Sequence, residues 1–426
     1  MTIFIMLVAM ILLCLFNVPI AVSLAVVASV TMFITQGPDI LPNIALVMFE
    51  GATNFPLIAI PLFIFAGAIM NAGGLSRRLI AFASACLGFI KGGLAMVTIA
   101  ASMFFAEISG SAVAGVAALG TILIPAMKSK GYPAPFAVAV TSSAATLAII
   151  IPPSIPMIIY AVMAQVSVVQ VFITGFVPGV IGGVGMMIMS YWFARRNNYP
   201  VEEVFKLGRV WRTFKDAWLA LTLPLIVLGG IFGGFVTATE GAGLAVLASL
   251  AIGVVYRELS WGLLRKELVS GGVQTAVVLM LVAGSALIGV FLTEEKMPQL
   301  LAAQILEITQ NKYLVLLLLN VFFLVIGFFL HSAAAIILVV PIVMPLITTV
   351  GIDPVHFGLI VALNLAIGQQ TPPVASVLIA ACSVGKADIW EVTKVNVWFI
   401  GLLTILLLLL TYVPGLALLP VEIFYR

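Results

Sequence analysis

The feature that most constrains this chain is a near-continuous succession of long apolar stretches separated by short polar segments. Each long stretch approaches the roughly 20 residues that a helix needs to span a bilayer. Charged residues make up only 8% of the 426 residues, whereas a soluble domain carries about 25%. A globular particle of this size cannot bury so much apolar surface. We therefore predict an all-α polytopic membrane protein.

Several chemistries lack the residues that they need. The sequence contains no GxxxxGK[ST] loop for a nucleotide, no HExxH motif and no Cys/His cluster for zinc. We therefore expect a protein that is not an enzyme and that needs no bound cofactor. The N-terminal stretch has no basic flank, so we interpret it as a first span rather than a cleaved signal peptide.

The chain also repeats itself at an offset of 220 residues. Residues 24–29 (LAVVAS) recur as 244–249 (LAVLAS), and Pro152-Pro153 recurs as Pro372-Pro373. Self-similarity of this kind indicates two halves. We place them at 1–205 and 216–426, with residues 206–215 as the end of a basic cytoplasmic linker.

The apolar stretches of the two halves mirror each other. In the first half they run at about 2–16, 20–35, 53–71, 92–109, 111–127, 135–164 and 171–194. In the second half they run at about 217–234, 239–256, 272–292, 313–330, 332–349, 355–384 and 391–413. More polar segments at 38–50, 75–90, 258–270 and 295–311 are too short to cross, so we expect helices in the interface.

The positions of the basic residues suggest a topology. Lys91 precedes the stretch 92–109, and Lys128 and Lys130 follow the stretch 111–127, so both ends are expected in the cytoplasm. Two full spans or one re-entrant hairpin fit this pattern. We favour a hairpin at 92–127, because each half then has five crossings and the second half, with its hairpin at 313–349, is inverted.

The resulting prediction is two inverted repeats with about ten spans plus two re-entrant hairpins, and with both termini outside. All but three of the 19 Lys and Arg residues then lie on the cytoplasmic side. Inverted repeats with broken helices are typical of secondary transporters.

Four irregular segments place polar groups at membrane depth, and the repeat relates them in pairs. One pair is the two hairpin tips, Ser109-Gly110-Ser111 and His331-Ser332. The other pair is the broken helices 135–164 and 355–384, which the tandem prolines interrupt because proline lacks a backbone donor.

These segments offer groups for both a cation and an anion. Freed carbonyls, such as those of Ile149 and Gly368, can ligate Na⁺, whereas the N-termini of half-helices suit a carboxylate. Hydroxyl and amide groups can serve either ligand, and they belong to Ser109, Ser111, Thr146, Ser332, Gln369, Gln370 and Thr371.

Two glutamates need separate interpretation. Glu107 beside the first tip is either a proton or cation site or a buried carboxyl with a local partner, and both interpretations stay open. Glu240 follows Thr237 by three residues at the start of a predicted span. That spacing is typical of a capping box, which is a structural role.

At these motifs the chain resembles the large membrane subunit of tripartite ATP-independent periplasmic (TRAP) transporters. The resemblance covers essentially the whole chain and is carried by EISGSAVAG, IIPPSIPMIIYAV, VTATEGAGLAVL and NLAIGQQTPPVASVL. It implies an elevator-type carrier in the bacterial inner membrane, with Na⁺ as the coupling ion. The implied substrates are organic acids such as C4-dicarboxylates, sugar acids or sialic acids.

The resemblance also implies partners and site residues. The partners are a small four-span membrane subunit and a periplasmic substrate-binding protein. The implied Na⁺ ligands are Ser109, Gly110, Ser111, Ile149, Pro152, Gly327, His331, Gly368 and Thr371. The implied substrate-binding residues are Ser111, Thr146, Pro153, Ser332, Gln369, Gln370 and Thr371.

The chain departs from the family pattern at two positions, because many members have Asp where it has Gly115 and His331. We hypothesise that Glu107 offsets the missing charge, so Glu107→Gln should weaken the Na⁺ dependence of transport; an unchanged Na⁺ titration would contradict this. The alternative function is a stand-alone Na⁺- or H⁺-coupled dicarboxylate or citrate symporter. A channel or a membrane enzyme would need a pore ring or an activated nucleophile, and the sequence displays neither.

Overall fold

A computed structural model describes residues 2–16, 18–201 and 204–425, with only the backbone described at 2–4, 7, 11, 14–15 and 107–109. The described part is helical and contains no strand. Within it, nine helical segments are long and apolar enough to cross a membrane, and shorter apolar helices accompany them. The predicted all-α polytopic class is confirmed.

The described residues of the first half form eleven α-helices. They are α1 (Thr2–Leu15), α2 (Ile20–Gln36), α3 (Leu41–Ala52), α4 (Ala59–Ala72), α5 (Leu75–Leu87), α6 (Gly93–Ser109), α7 (Ala112–Gly115), α8 (Thr121–Ser129), α9 (Ala134–Thr146), α10 (Ile155–Ala164) and α11 (Val168–Arg196). A π-helical turn, Val116–Gly120, joins α7 to α8.

In the second half, ten α-helices lie within the part that the structure describes. They are α12 (Leu207–Phe232), α13 (Ala238–Val255), α14 (Trp261–Glu294), α15 (Met297–Ile308), α16 (Lys312–Phe329), α17 (Ser332–Thr349), α18 (Pro354–Gly368), α19 (Ser376–Gly385), α20 (Ile389–Tyr412) and α21 (Gly415–Tyr425). When 220 is subtracted from their residue numbers, most of them begin and end within a few residues of the bounds of a first-half helix.

The two halves interlock through exchanged contacts. Helix α10, the second part of the first broken helix, packs on α17 of the other half's hairpin, and α19 packs correspondingly on α7 and α8. In the same way α4 packs on α13, and α14 packs on α2. Contacts that exchange in this manner are what a two-fold relation between repeats produces.

The helices that precede the hairpins differ between the halves. In the first half α3 and α4 are separate, because Asn54-Phe55-Pro56 interrupts the helix. In the second half α14 runs unbroken from Trp261 to Glu294. The separate interfacial helix predicted at 258–270 is therefore not observed, since most of that segment forms the first turns of α14.

The predicted linker boundary also differs from the observed helix. Lys206 is the N-cap of α12, so most of residues 206–215 form the first turns of that helix. The irregular connection between the halves is shorter, at 197–206, with 202–203 outside the described residues.

A charged cluster joins the halves near the N-terminus of α14. Arg78 of α5 donates to Glu258 Oε1 at 2.7 Å, and Arg77 donates to the same carboxylate at 2.8 Å. The Arg78 guanidinium also lies 3.9 Å from the ring centroid of Tyr256. These hydrogen bonds, led by the one from Arg78, lower the pKa of Glu258 below its ordinary value.

The start of α13 has the predicted capping box. Thr237 Oγ1 accepts a hydrogen bond from the backbone N–H of Glu240, and the Glu240 carboxylate accepts one from the Thr237 N–H. This pair satisfies helix donors that would otherwise lack partners. The structural interpretation of Glu240 is confirmed.

Candidate functional site

The two hairpin tips share a capping arrangement that is built from different residues. At the first tip, Ser111 Oγ accepts a hydrogen bond from the backbone N–H of Ala114 at 3.4 Å. At the second tip, His331 Nδ1 accepts one from the backbone N–H of Ala333 at 3.4 Å. Ser111 and His331 are 220 positions apart and so are repeat equivalents. Each caps the helical arm that leaves its tip.

The cap determines the tautomer of His331. Because Nδ1 accepts a hydrogen bond, the neutral ring carries its proton on Nε2. The side chain is exposed to a cavity, where Nε2–H can donate. A ring in this state suits an anion, and it does not suit the predicted Na⁺-ligand role of His331.

The first break is held together by a serine. Helix α9 ends at Thr146, a single 3₁₀ turn covers Leu147–Ile149, and α10 begins at Ile155. Buried Ser154 caps α10, and its Oγ donates to the carbonyl oxygen of Ile149 at 2.6 Å. The backbone between the two half-helices is therefore fixed by its own side chain.

The first tip docks onto this break through Gly110. The backbone N–H of Ile155 donates to the carbonyl oxygen of Gly110 at 3.4 Å. Gly110 has φ +56°, and a Cβ there would lie 3.1 Å from the Ile155 nitrogen and 3.3 Å from the Pro153 oxygen. Only glycine fits this left-handed position without pushing the tip away from the break.

The second break uses a glutamine where the first has Ile149. Ser376 Oγ donates to Gln369 Oε1 at 3.3 Å, and the backbone N–H of Val377 donates to the Gln369 carbonyl at 3.1 Å. Just before it, Gly368 meets Gly327 of α16 backbone to backbone. A Cβ on Gly368 would lie 2.6 Å from the Cα of Gly327.

Tips and breaks meet at one cavity of about 570 Å³. The tips contribute Gly110, Ser111, His331 and Ser332, and the breaks contribute Ile149 and Gln369. The facing wall comes from α2, α4 and α14. The volume lies in the range of about 300–1,000 Å³ that is usual for small-molecule sites.

The cavity is electrically neutral apart from helix ends. None of its described lining residues is Asp, Glu, Lys or Arg. Both hairpin arms that leave the tips begin at the cavity, so their free N–H groups and positive dipole ends face it. Ser332 adds a hydroxyl that has no hydrogen-bond partner among the described residues. These groups can hold an anion without a basic side chain.

A second polar group lies behind the cavity and ties the breaks together. Gln370 Nε2 donates to Thr146 Oγ1 at 2.6 Å, and Ser143 Oγ donates to Gln370 Oε1 at 2.7 Å. Asn396 of α20 donates to the same Oε1 at 3.2 Å. All four residues are at most 1% exposed. The network therefore joins the two broken helices and α20 inside the protein.

The predicted site residues thus fall into separate places. Gly110, Ser111, Ile149, His331, Ser332 and Gln369 line the cavity. Thr146 and Gln370 belong to the buried network, and Thr371 Oγ1 donates to the Ile367 carbonyl at 3.0 Å. Pro152, Pro153, Gly327 and Gly368 form the packing behind the tips. The side chains of Glu107 and Ser109 lie outside the described residues.

Sequence reasoning missed Ser143 and Asn396. Asn396 lies on α20, 26 residues after Gln370, and Ser143 precedes Gln370 by 227. Polar residues inside apolar stretches were the available signal, because a buried polar group requires a partner. Nothing in the sequence indicated which partner.

Comparison with known proteins places this architecture in a family. The family model described as "Tripartite ATP-independent periplasmic transporter, DctM component" matches residues 7–416. A C4-dicarboxylate TRAP transporter large permease protein of Pseudomonas aeruginosa is 36% identical, over 89% of this chain and 90% of that protein. A sialic acid TRAP transporter large permease protein of Vibrio cholerae is 36% identical, over 96% of each.

Two further comparisons differ in what they cover. The isethionate TRAP transporter permease protein DctMQ of Oleidesulfovibrio alaskensis is 42% identical over 94% of this chain, which spans only 63% of that relative's length. Among solved structures, the Alcanivorax borkumensis YdaH transporter, described as having an unusual topology, matches with a TM-score of 0.62 and 17% identity, covering 89% of both chains. That likeness concerns the fold.

Proposed function

The chain belongs to the DctM component family of TRAP transporters, and from this premise we propose that it imports an organic acid by coupling its entry to that of Na⁺. The observation that carries the proposal is the neutral cavity where both tips and both breaks meet. Its partners are a small four-span membrane subunit and a periplasmic binding protein that delivers the substrate. The bacterial inner membrane holds the chain, with both termini in the periplasm.

The substrate's acidic group binds at the second tip in this proposal. Ser332 and His331 both line the cavity there, and His331 offers Nε2–H while Nδ1 stays in the cap. Gln369 lies on the same cavity and supplies an amide. Neutral donors and a helix start suit a carboxylate or sulfonate, since each acceptor oxygen then finds a donor without a buried counter-charge.

Na⁺ is carried as a co-substrate at two places where a tip touches a break. Near the first tip, the proposed ligands are oxygens of Ser109, Gly110, Ser111, Ile149 and Pro152. Near the second, they are oxygens of Gly327, Gly368 and Thr371. The close approach of Gly110 to Pro153 and of Gly368 to Gly327 supports this, because backbone carbonyls must converge to replace water around a hard cation.

Transport then proceeds by an elevator movement in which one part of both inverted repeats slides past another part of both. The tips and breaks move together as one body, and α2, α4 and α14 form the wall past which they slide. The mixed lining of the cavity, with residues from both groups, supports this division. The buried Gln370 network supports it as well, because it holds both breaks in one unit.

The relatives suggest which acids to test. Those described above are named for C4-dicarboxylates, sialic acid and isethionate, and another, from Escherichia coli, is named for 2,3-diketo-L-gulonate. All four are organic anions, so a panel of succinate, sialic acid, isethionate and diketogulonate samples the substrate class.

Uptake in proteoliposomes tests the proposal. The chain is reconstituted with its genomic neighbours, each labelled acid is added, and an inward Na⁺ gradient is imposed with or without the binding protein. Uptake that needs both the gradient and the binding protein is the expected result. Na⁺-driven uptake without the binding protein would instead favour a stand-alone symporter. Uptake that follows a proton gradient alone would overturn Na⁺ coupling.

A further inference from the structure

A second cavity of about 260 Å³ adjoins the tip cavity. The two share lining residues: Ile64, Ala114, Ala117 and Gln274. These residues border both spaces, so the two cavities are neighbours between the first hairpin and the wall formed by α4 and α14.

One wall of the second cavity is a polar stripe. Glu267, Ser270 and Gln274 follow one another at spacings of three and four residues on α14, which places them on one helix face. Asn71 of α4 completes the stripe. None of the four side chains makes a hydrogen bond to another described residue, so all four are available to water or to a solute.

The opposite wall is apolar, and apart from Phe105 of α6 its side chains are small. Ala114, Ala117 and Ala118 of the first hairpin line it, and the last two lie in the π-helical turn Val116–Gly120. The equivalent stretch of the second hairpin is continuous α-helix. Small side chains leave the width that the passage needs, and π-helical turns occur frequently at functional sites.

The stripe also has a direction. It runs from Gln274 at the tip cavity to Glu267. Arg265 and Lys266 come just before Glu267 in the chain and so lie nearer the N-terminus of α14. Arg77, Arg78 and Glu258 lie near the same end. Basic residues mark the cytoplasmic end of membrane helices, so the stripe leads from the tips towards the cytoplasm.

We propose that Asn71, Gln274, Ser270 and Glu267 form the release route by which the transported anion and Na⁺ leave the tip cavity for the cytoplasm. This inference rests on the proposed function. Gln274 receives the solute at the junction of the cavities, and Ser270 continues the polar wall. The carboxylate of Glu267 lies at the far end, where it attracts departing Na⁺.

Cysteine accessibility tests the route directly. Ser270→Cys and Gln274→Cys are made in a chain whose Cys14, Cys86 and Cys382 are replaced by Ala. A matched control is Val269→Cys, because Val269 is 61% exposed on the same helix but lines neither cavity. A charged, membrane-impermeant methanethiosulfonate is added to inside-out vesicles, and the modification rate is measured.

Both route cysteines should react about tenfold faster than the control, since only a hydrated thiol ionises and reacts. Saturating Na⁺ plus transported acid should slow them. Rates equal to that of Val269→Cys would overturn the route. This labelling does not depend on uptake, so labelled cysteines in a chain that transports no acid would refute the proposed function and leave the route intact.

A second variant keeps the native cysteines. Gln274→Leu should lower the maximal uptake rate about tenfold, because a polar solute loses its partner at the junction of the cavities. The Na⁺ concentration for half-maximal uptake should stay the same, since Gln274 touches neither proposed Na⁺ site. Unchanged maximal uptake in this variant, with Val269→Leu as the control, would also overturn the route.

Discussion

The two halves share one backbone plan, yet their tips carry different chemistry. Ser111 and His331 cap equivalent helices, the first with a hydroxyl oxygen and the second with an imidazole nitrogen that leaves Nε2–H as a donor. Ile149 and Gln369 occupy equivalent positions in the breaks, but only Gln369 brings a side-chain amide to the cavity. Under the proposed function, the second half supplies the side-chain groups for the anion, whereas the first half supplies mainly backbone.

The close approaches behind the tips also differ. In the first half the tip itself touches the break, through Gly110. In the second half the contact lies three residues earlier, where Gly327 meets Gly368, and Leu330 replaces the tip glycine. The repeat therefore preserves the tip–break junction while moving the glycine that permits it.

Breaking the second junction should have the largest effect. Gly368→Val places side-chain atoms against the Gly327 backbone, which has no flexible end to move aside. We expect the free energy of unfolding to fall by about 3 kcal/mol, at the upper end of the usual cost of overpacking. We also expect uptake to be lost. Thermal unfolding in detergent and proteoliposome uptake measure the two effects. Gly401→Val is the control, because nothing lies within 4 Å of a Cβ there. Equal unfolding midpoints for the two variants would contradict this.

Removing one residue of the hydrogen-bond network that joins the halves should lower the free energy of unfolding somewhat less. Asn396→Leu removes one partner of Gln370, and Gln370 and Ser143 are then left buried with incomplete hydrogen bonding. An unsatisfied buried group costs about 1–3 kcal/mol, so we expect a loss near 2 kcal/mol. Thr404→Val on the same helix is the control, since Thr404 bonds only to its own helix at Ile400. A midpoint no lower than the control's would show that the network does not stabilise the fold.

How well each feature could be predicted from the sequence depends on how far apart its interacting residues lie along the chain. Signals within a few residues predicted well: the Thr237/Glu240 box is confirmed, and prolines marked both breaks. Asn396 was missed, because its partner Gln370 is set by packing between distant helices. The unbroken α14 was missed because a rise in polarity at 258–270 does not end a helix, whereas Pro56 does.

Changing the donor at the second tip should alter binding and leave the fold intact. His331→Asp can still cap α17, but it replaces the Nε2–H donor with a negative charge. We expect the substrate concentration for half-maximal uptake to rise about tenfold or more, because a donor that faces the cavity is lost and a repulsion is added. His331→Asn keeps both a cap oxygen and a donor, so it should restore much of the affinity. An equal affinity in all three proteins would remove His331 from the anion site.

The smallest effect should come from acid titration of the cluster that joins α5 to the N-terminal end of α14. Arg78, and then Arg77, hold the pKa of Glu258 below its ordinary value. A depressed folded-state pKa stabilises the protein fully above the unfolded pKa of about 4.3, and this contribution disappears as the pH falls through the folded value. The Arg78–Glu258 pair is partly exposed, with side-chain accessibilities of 13% and 27%. We therefore expect it to stabilise the fold by less than about 1 kcal/mol. Glu258→Gln should therefore lower the unfolding midpoint slightly at pH 7 and by less at pH 3, whereas the exposed Glu295→Gln should change the midpoint at neither pH. An equal effect of Glu258→Gln at both pH values would mean that the charge of the carboxylate does not stabilise the contact between α5 and Glu258.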